Sequence, residues 1–383
     1  MGSLSRKTVA WATGAALAVG GGTAGIVIAA QGAGGSGSAT PGPGVTAAAR
    51  AAAVKPTPPP ALRVVSISPA SGEQDANGAG NITVTYNQPL PATAPLPTLS
   101  PSIAGSWQRT GDAVVFTPAT GFPAGTHVTV TAAGAGDSST RSESSSFKTG
   151  KYSTLRLQEI LAQLGYLPLT WTPAAGAAGV NTASAAAQLS AAYAPPDGTF
   201  QWQEGYPAQL HSFWTQGQAN TLDRGAIMGF EADHGLPVDG TAGSAVWKAL
   251  LTAAAADKRN THGYSYAITS ERLPETLTIW HDGRKVFSAP ANTGISVAPT
   301  ETGTFPVYEK LTFQIMQGTN PDGSHYADPV SWVSYFNGGD AVHYFPRGSY
   351  GWPQSLGCVE LTYNAAKQAY PYLPYGTLVT VTA

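Results

Sequence analysis

The chain has a single cysteine in 383 residues, so no disulfide can form within it. Charged side chains make up only 11% of the sequence, 20 Lys and Arg against 22 Asp and Glu. That balance offers no basic surface to follow a phosphate backbone, and nucleic-acid binding is not expected. Six of the histidines, His127, His211, His234, His262, His281 and His325, are scattered along the chain, and no H-E-x-x-H or similar spacing occurs. A metallopeptidase centre is therefore not expected, and no metal or other cofactor is called for. Walker loops and G-x-S-x-G elbows are absent as well. The long apolar run, Val9 to Ala30, lies near the N-terminus.

What is abundant is glycine (45), proline (30) and segments in which Thr and Val alternate with other residues. Such composition predicts strands joined by loops, and the length allows two or three domains. The expected fold class is mainly β and multidomain.

The lone thiol, Cys358, stands in Ser355-Leu356-Gly357-Cys358, and the seventh histidine, His343, precedes it by fifteen residues at the end of an expected strand. A thiol of ordinary pKa is mostly protonated at neutral pH and needs an imidazole to take its proton before it attacks a carbonyl. His343 is the candidate base and Cys358 the candidate nucleophile. Gly357 lets the chain turn so that amides near Cys358 can face a developing oxyanion. The alternative is that Cys358 is a small buried hydrophobe and His343 a satisfied strand residue.

His343, a loop, and then S-x-G-C-V-x-L (Ser355 to Leu361), with Thr300-Glu301-Thr302-Gly303-Thr304-Phe305 upstream, resemble the L,D-transpeptidase catalytic domain, the YkuD-like family, over roughly Tyr264 to Ala383. The resemblance implies a β-rich domain acting on bacterial peptidoglycan. Cys358 would take the acyl group from the L-centre of a stem-peptide diamino acid, meso-diaminopimelate in the family, with loss of D-alanine. The amine of a second stem would then attack the thioester. Gly357 and Cys358 amides would hold the oxyanion, the Tyr344 carbonyl would orient the imidazole, and carbapenems would acylate the thiol. Two positions depart from the family pattern: Leu356 where histidine is common, and Glu360 where arginine or asparagine is common. The first leaves His343 as the only imidazole close to the thiol in sequence. Water as acceptor would make the same site an L,D-carboxypeptidase, and a dead site would leave a wall-binding scaffold.

Around this pair, Ser355 is expected to fix the turn by bonding loop backbone. Arg347 has the fork geometry to bind stem carboxylates, or is an ordinary loop arginine. Glu360 either draws the acceptor amine or is a solvated strand residue. Tyr326, Trp332 and Tyr335 are candidate walls of a substrate cleft, with core packing the alternative.

The remaining chain divides by composition. Residues 1–30, with Arg6 and Lys7 before the apolar run, read as an export signal or a retained anchor, so the rest is expected outside the cytoplasmic membrane, touching it only through residues 9–30. Residues 31–60 form a Gly/Ala/Pro-rich linker that ends in polyproline. Residues 61–150 alternate in short strands at 64–67, 82–86, 113–116 and 127–131, and Ser66 to Gly72 looks similar to the opening of bacterial Ig-like sandwiches. Trp107 there reads as a core residue. Residues 151–258 switch to helical periodicity at about 153–165 and 223–234 and after Asp239. The V-D-G-x-x-G-x-x-x-W run ending at Trp247 resembles the peptidoglycan-binding domain type 1, a three-helix unit that would bind glycan. An insert, 168–220, carries Trp171, Phe200, Trp202, Tyr206, Phe213 and Trp214, read as packing rather than sugar stacking. Residues 262–383 form the β-rich domain, with strands expected at 276–279, 286–289, 304–308, 330–336, 341–344 and 378–382 and a helix near 364–370.

Overall fold

The first strand, β1 (Val64–Ser68), has an irregular register between Val64 and Ser66 and leaves Val65 exposed. Alternation is strict in β2 (Ile82–Tyr86), where Ile82, Val84 and Tyr86 are buried while Thr83 and Thr85 are half-buried. The chain continues through β3 (Thr98–Ser100), β4 (Gly105–Thr110), β5 (Ala113–Pro118), β6 (His127–Ala132) and β7 (Glu143–Lys148). The sheets β1-β2-β5-β4 and β3-β6-β7 enclose one core in which Val84, Val114, Val128 and Val130 are fully buried. Trp107 packs against this core, its ring 5.2 Å from that of Phe116. The strands β3, β4 and β7 had no clear signal, since β4 and the serine-rich β7 bury few apolar side chains. The computed structural model describes residues 61–132, 142–177 and 184–383, all within one compact unit, Pro59–Ala383. The expected export segment and linker lie outside the described residues. Among those described, no helix is long and apolar enough to cross a membrane.

The helical region holds α1 (Thr154–Gln163), β8 (Leu169–Pro173), α2 (Ala185–Tyr193), β9 (Gly198–Trp202), α3 (Thr221–Asp233) and α4 (Ser244–Ala255). Gly165, with φ +80°, ends the first helix, while the Ser153 side chain makes no capping bond. The insert supplies the antiparallel β8–β9 pair and, between its strands, α2, and its aromatics pack against the helices. Trp171 and Tyr206 are buried, and Phe200, Trp202, Phe213 and Trp214 pack around the same core. That core continues into the last domain through Tyr264, Tyr266 and Leu378. Two glycine contacts allow the close approach: a Cβ on Gly225 would lie 2.4 Å from the Gly376 carbonyl oxygen, and one on Gly205 2.0 Å from that of Gly283.

The C-terminal region contains β10 (Ser265–Ser270), β11 (Thr276–His281), β12 (Arg284–Pro290), β13 (Gly303–Pro306), β14 (Glu309–Thr319), β15 (His325–Asn337), β16 (Asp340–Tyr344), β17 (Val359–Leu361), α5 (Tyr363–Ala369) and β18 (Leu378–Thr382). One sheet runs β12-β11-β10-β18-β13 and the other β14-β15-β16-β17, with Leu277, Ile279 and Val379 meeting Phe336, Val342 and Val359 between them. The strand β14 was not anticipated. Most of its residues are exposed or half-buried, with Phe313 and Ile315 more than half exposed, so no buried face marked it.

Candidate active site

The position of the thiol follows from one parallel pairing. In β16 and β17, Val342 lies opposite Val359 and His343 opposite Glu360, which sets Cys358 beside Ala341. Side chains alternate along a strand, so Val342, Val359 and Leu361 enter the inter-sheet core while Ala341, His343, Cys358 and Glu360 share the other face. His343 and Cys358 are thus diagonal neighbours on one face of the sheet.

His343 is 3% exposed, and its Nδ1 lies 2.9 Å from the carbonyl oxygen of Tyr344. A carbonyl only accepts, so Nδ1 carries the proton and Nε2 is left with a lone pair. Burial lowers the imidazole pKa, with the Tyr344 carbonyl and the Glu360 charge opposing and Arg347 adding to the shift, which keeps the ring neutral and able to accept. Cys358 is half-buried and its sulfur is 3.7 Å from the Gly339 carbonyl oxygen. Burial pushes the thiol up to about 12; a hydrogen bond from the Ala341 backbone opposes this, and the Asp340 and Glu360 carboxylates add to it. No hydrogen bond joins Cys358 to His343 among the described residues; the sulfur is directed to the Gly339 carbonyl.

The turn before the thiol is tightly tied. Gly357 has φ +120°, and a Cβ there would lie 2.2 Å from Asp340 Oδ1. Its carbonyl accepts from Thr300 Oγ1 at 2.7 Å, and Thr300 Oγ1 accepts from the Gly294 amide at 2.9 Å. Ser355 Oγ donates to the Cys358 carbonyl at 2.6 Å and accepts from the Gly357 amide at 3.2 Å. The Gly357 amide, expected to face an oxyanion, is therefore engaged inside the loop in this state.

Glu360 is not solvated, contrary to one expectation, because it is only 4% exposed and both of its oxygens meet a guanidinium. Arg347 donates from Nε to Oε2 at 2.8 Å and from Nη2 to Oε1 at 2.7 Å. Asn292 adds a longer bond at 3.4 Å. Since Arg347 Nη2 also reaches the Gln354 carbonyl at 2.9 Å, the Nε–Nη2 edge of its fork is taken up within the protein.

Tyr326 and Tyr335 lie on the thiol's side. Burial raises both phenols, and a thiolate at Cys358 raises them further. Tyr335 accepts from Gln314 Nε2 at 2.5 Å and packs in the cluster that includes Cys358. Trp332 is turned away. It sits in a β-bulge with φ +60°, against the inter-sheet core, its ring 5.6 Å from Tyr370 and 6.2 Å from Tyr363. It is not a wall of the thiol's surroundings. Sequence reasoning missed Asp340, which faces Gly357 and the sulfur. Burial raises its carboxyl to about 6, with the Glu301 amide opposing and the Glu301 charge adding. The only signal in the sequence was its place at the head of the histidine strand.

No curated protein matches the sequence. Among solved structures, the chain is similar to an L,D-transpeptidase from Mycobacterium smegmatis, at 16% identity over 85% of this chain and 100% of that one, with a TM-score of 0.30. It is likewise similar to L,D-transpeptidase 3 from Mycobacterium tuberculosis, at 16% identity over 84% and 98%, TM-score 0.30. The catalytic domain of the E. faecium L,D-transpeptidase acylated by ertapenem is 24% identical over 31% of this chain and 98% of that one, TM-score 0.29. Residues 266–381, the segment that carries Cys358 and His343, match the model of the YkuD family, the L,D-transpeptidase catalytic domain.

Proposed function

We propose that this protein is an L,D-transpeptidase that joins peptidoglycan stem peptides outside the cytoplasmic membrane. The observation that carries the reading is the shared face of His343 and Cys358, with Nδ1 committed to the Tyr344 carbonyl and Nε2 left to accept. In the first half-reaction Nε2 takes the thiol proton and the sulfur attacks the carbonyl at the L-centre of the donor's diamino acid. The tetrahedral oxyanion is held by the Cys358 amide, joined by that of Gly357 once it leaves Ser355. The carbon–nitrogen bond to D-alanine breaks, the imidazolium protonates the leaving amine, and a thioester remains. In the second, the side-chain amine of another stem attacks the thioester, His343 takes a proton from it, and the thiol is regenerated. Water in place of the amine gives hydrolysis instead.

The upstream regions support a wall-directed role. We read residues 61–150 as an Ig-like stalk and 151–258 as a peptidoglycan-binding unit, which raise the local concentration of stems at the thiol. A cleft of about 1200 Å³ lies between them, lined mainly by apolar side chains, with Tyr152, Asn220, Arg224 and Lys248 at its border. The test is the intact mass of the full-length protein after incubation with a tetrapeptide-stem muropeptide or a carbapenem, beside Cys358→Ala. An adduct on the wild type alone is expected, and muropeptide products separate transfer from hydrolysis. No adduct on folded wild type would leave a non-catalytic wall-binding protein as the better account.

A further inference from the structure

Glu360 lies on the same strand face as Cys358, two residues on, and opposite His343 in the sheet register. A lone carboxylate there would oppose formation of a thiolate and would itself be costly to bury. The structure closes it with the Arg347 fork, through bonds of 2.8 and 2.7 Å. Arg347 follows His343 by four residues, so the pair bridges the two chain segments that carry the reacting groups. The loop between them is wound around this fork. Arg347 Nη2 holds the Gln354 carbonyl and the guanidinium lies 4.6 Å from the centre of the Phe345 ring. Tyr350 Oη donates to the Phe345 carbonyl at 2.6 Å, and Asn292, bonded to Glu360, also accepts from the Gly351 amide at 3.0 Å.

We propose that Arg347 and Glu360 are a pair of positioning residues, which clamp the loop joining His343 to Cys358 and cancel the charge that faces both. This rests on the acyl-transfer reading above. It assigns Glu360 a role other than binding the acceptor amine, since its charge is closed within the protein. The charged and titratable groups around the pair are His343, Tyr344, Tyr350, Asp328, Asp340 and Cys358. Because the two members carry opposite charge, their removal has opposite electrostatic consequences. Loss of Arg347 leaves a negative charge beside the thiol and imidazole and raises both pKa values. Loss of Glu360 leaves a positive one and lowers both.

The experiment uses full-length protein carrying Arg347→Gln, Arg347→Lys, Glu360→Gln or the exchange Arg347→Glu/Glu360→Arg. Acylation by a carbapenem is followed against pH, alongside alkylation of Cys358 by iodoacetamide, which needs no enzymatic activity. Either glutamine variant is expected to slow acylation about tenfold or more, because truncating one member of the pair leaves the other unpaired beside the thiol and loosens the loop it clamps. Arg347→Lys keeps the charge but loses the fork, and is expected to slow acylation without displacing the pH profile. The alkylation profile of Arg347→Gln should move to higher pH and that of Glu360→Gln to lower pH, each by about one unit. The exchange variant should acylate faster than either glutamine variant. Profiles that move together or not at all, or an exchange no better than the worse single variant, overturn the proposal. So does a fall in melting temperature unaccompanied by opposite pH displacements, which marks the pair as structural only. If wild type takes no carbapenem, the functional reading fails while the alkylation profiles still decide the electrostatic part.

Discussion

Asp340 provides a sharp test of how the thiol is controlled. Its carboxyl is held at about 6, so at pH 7 it is largely ionised, and it is one of the two carboxylates that raise the Cys358 thiol. Asp340→Asn removes that charge and keeps the shape. A like charge a few ångströms away in a half-buried site is worth roughly one pKa unit after screening, so the thiol should fall by about that much. A drop of one unit raises the thiolate fraction about tenfold near neutral pH, but nucleophilicity falls with basicity along a slope of about 0.4–0.5, leaving a net gain of about threefold. Alkylation of Cys358 by iodoacetamide, measured from pH 6 to 11, should therefore show its rising limb displaced to lower pH, toward a lower midpoint, and a modestly faster rate at pH 7. Stability changes in a linked way. A carboxyl raised in the folded state carries no penalty below its unfolded pKa and the full penalty above its folded one, so the loss sets in between about pH 4 and 6. Full conversion of that shift would be about 3 kcal/mol, and exposure of the half-buried group reduces it. Asp340→Asn should raise the melting temperature at pH 7 to 8 and leave it unchanged below pH 4. An unchanged or higher thiol midpoint, with no gain in stability above pH 6, would refute this account.

Asp223 behaves similarly away from the site: burial raises its carboxyl to about 7, with Gln158 and the Asn220 backbone opposing. Stability should fall as pH rises from about 4 through 7, and Asp223→Asn should flatten that slope in thermal melts. Gly357→Ala combines a φ of +120° with a Cβ 2.2 Å from Asp340 Oδ1. It should cost about 1–3 kcal/mol and reduce carbapenem acylation by more than tenfold, read by melting and by intact mass. Gly225→Ala drives a Cβ to 2.4 Å from the Gly376 carbonyl oxygen, where α3 meets the loop before β18. The melting temperature should fall by a few degrees, with carbapenem acylation reduced less than in Gly357→Ala.

The sequence was most legible where one face is buried and the other is not. Ile82, Val84 and Tyr86 announced β2, and Leu157, Ile160, Leu161 and Leu164 announced α1, because their spacing matches the period of the element. The hairpin of β14 and the first part of β15 escaped notice because its outer residues, Phe313 and Ile315 among them, are exposed. In the candidate site, local motif pointed to Cys358 and His343, while their common face depends on a parallel register between strands separated by a fourteen-residue connection. The partnership of Arg347 with Glu360 was invisible for the same reason. Each residue looked ordinary alone, and only the loop's return brings them together. Engagement of the Gly357 amide by Ser355 is a matter of side-chain rotation, which spacing does not encode.

The bond from His343 Nδ1 to the Tyr344 carbonyl has a consequence for how the site can evolve. In serine-protease triads the orienting group is a carboxylate, and replacing that one side chain disables the imidazole. Here the orienting acceptor belongs to the main chain, so no substitution at residue 344 can delete it. In the proposed reaction, a cation formed on the ring would also face a neutral dipole in place of a full negative charge. It would accordingly be a stronger acid, readier to hand its proton to a departing amine than to keep it.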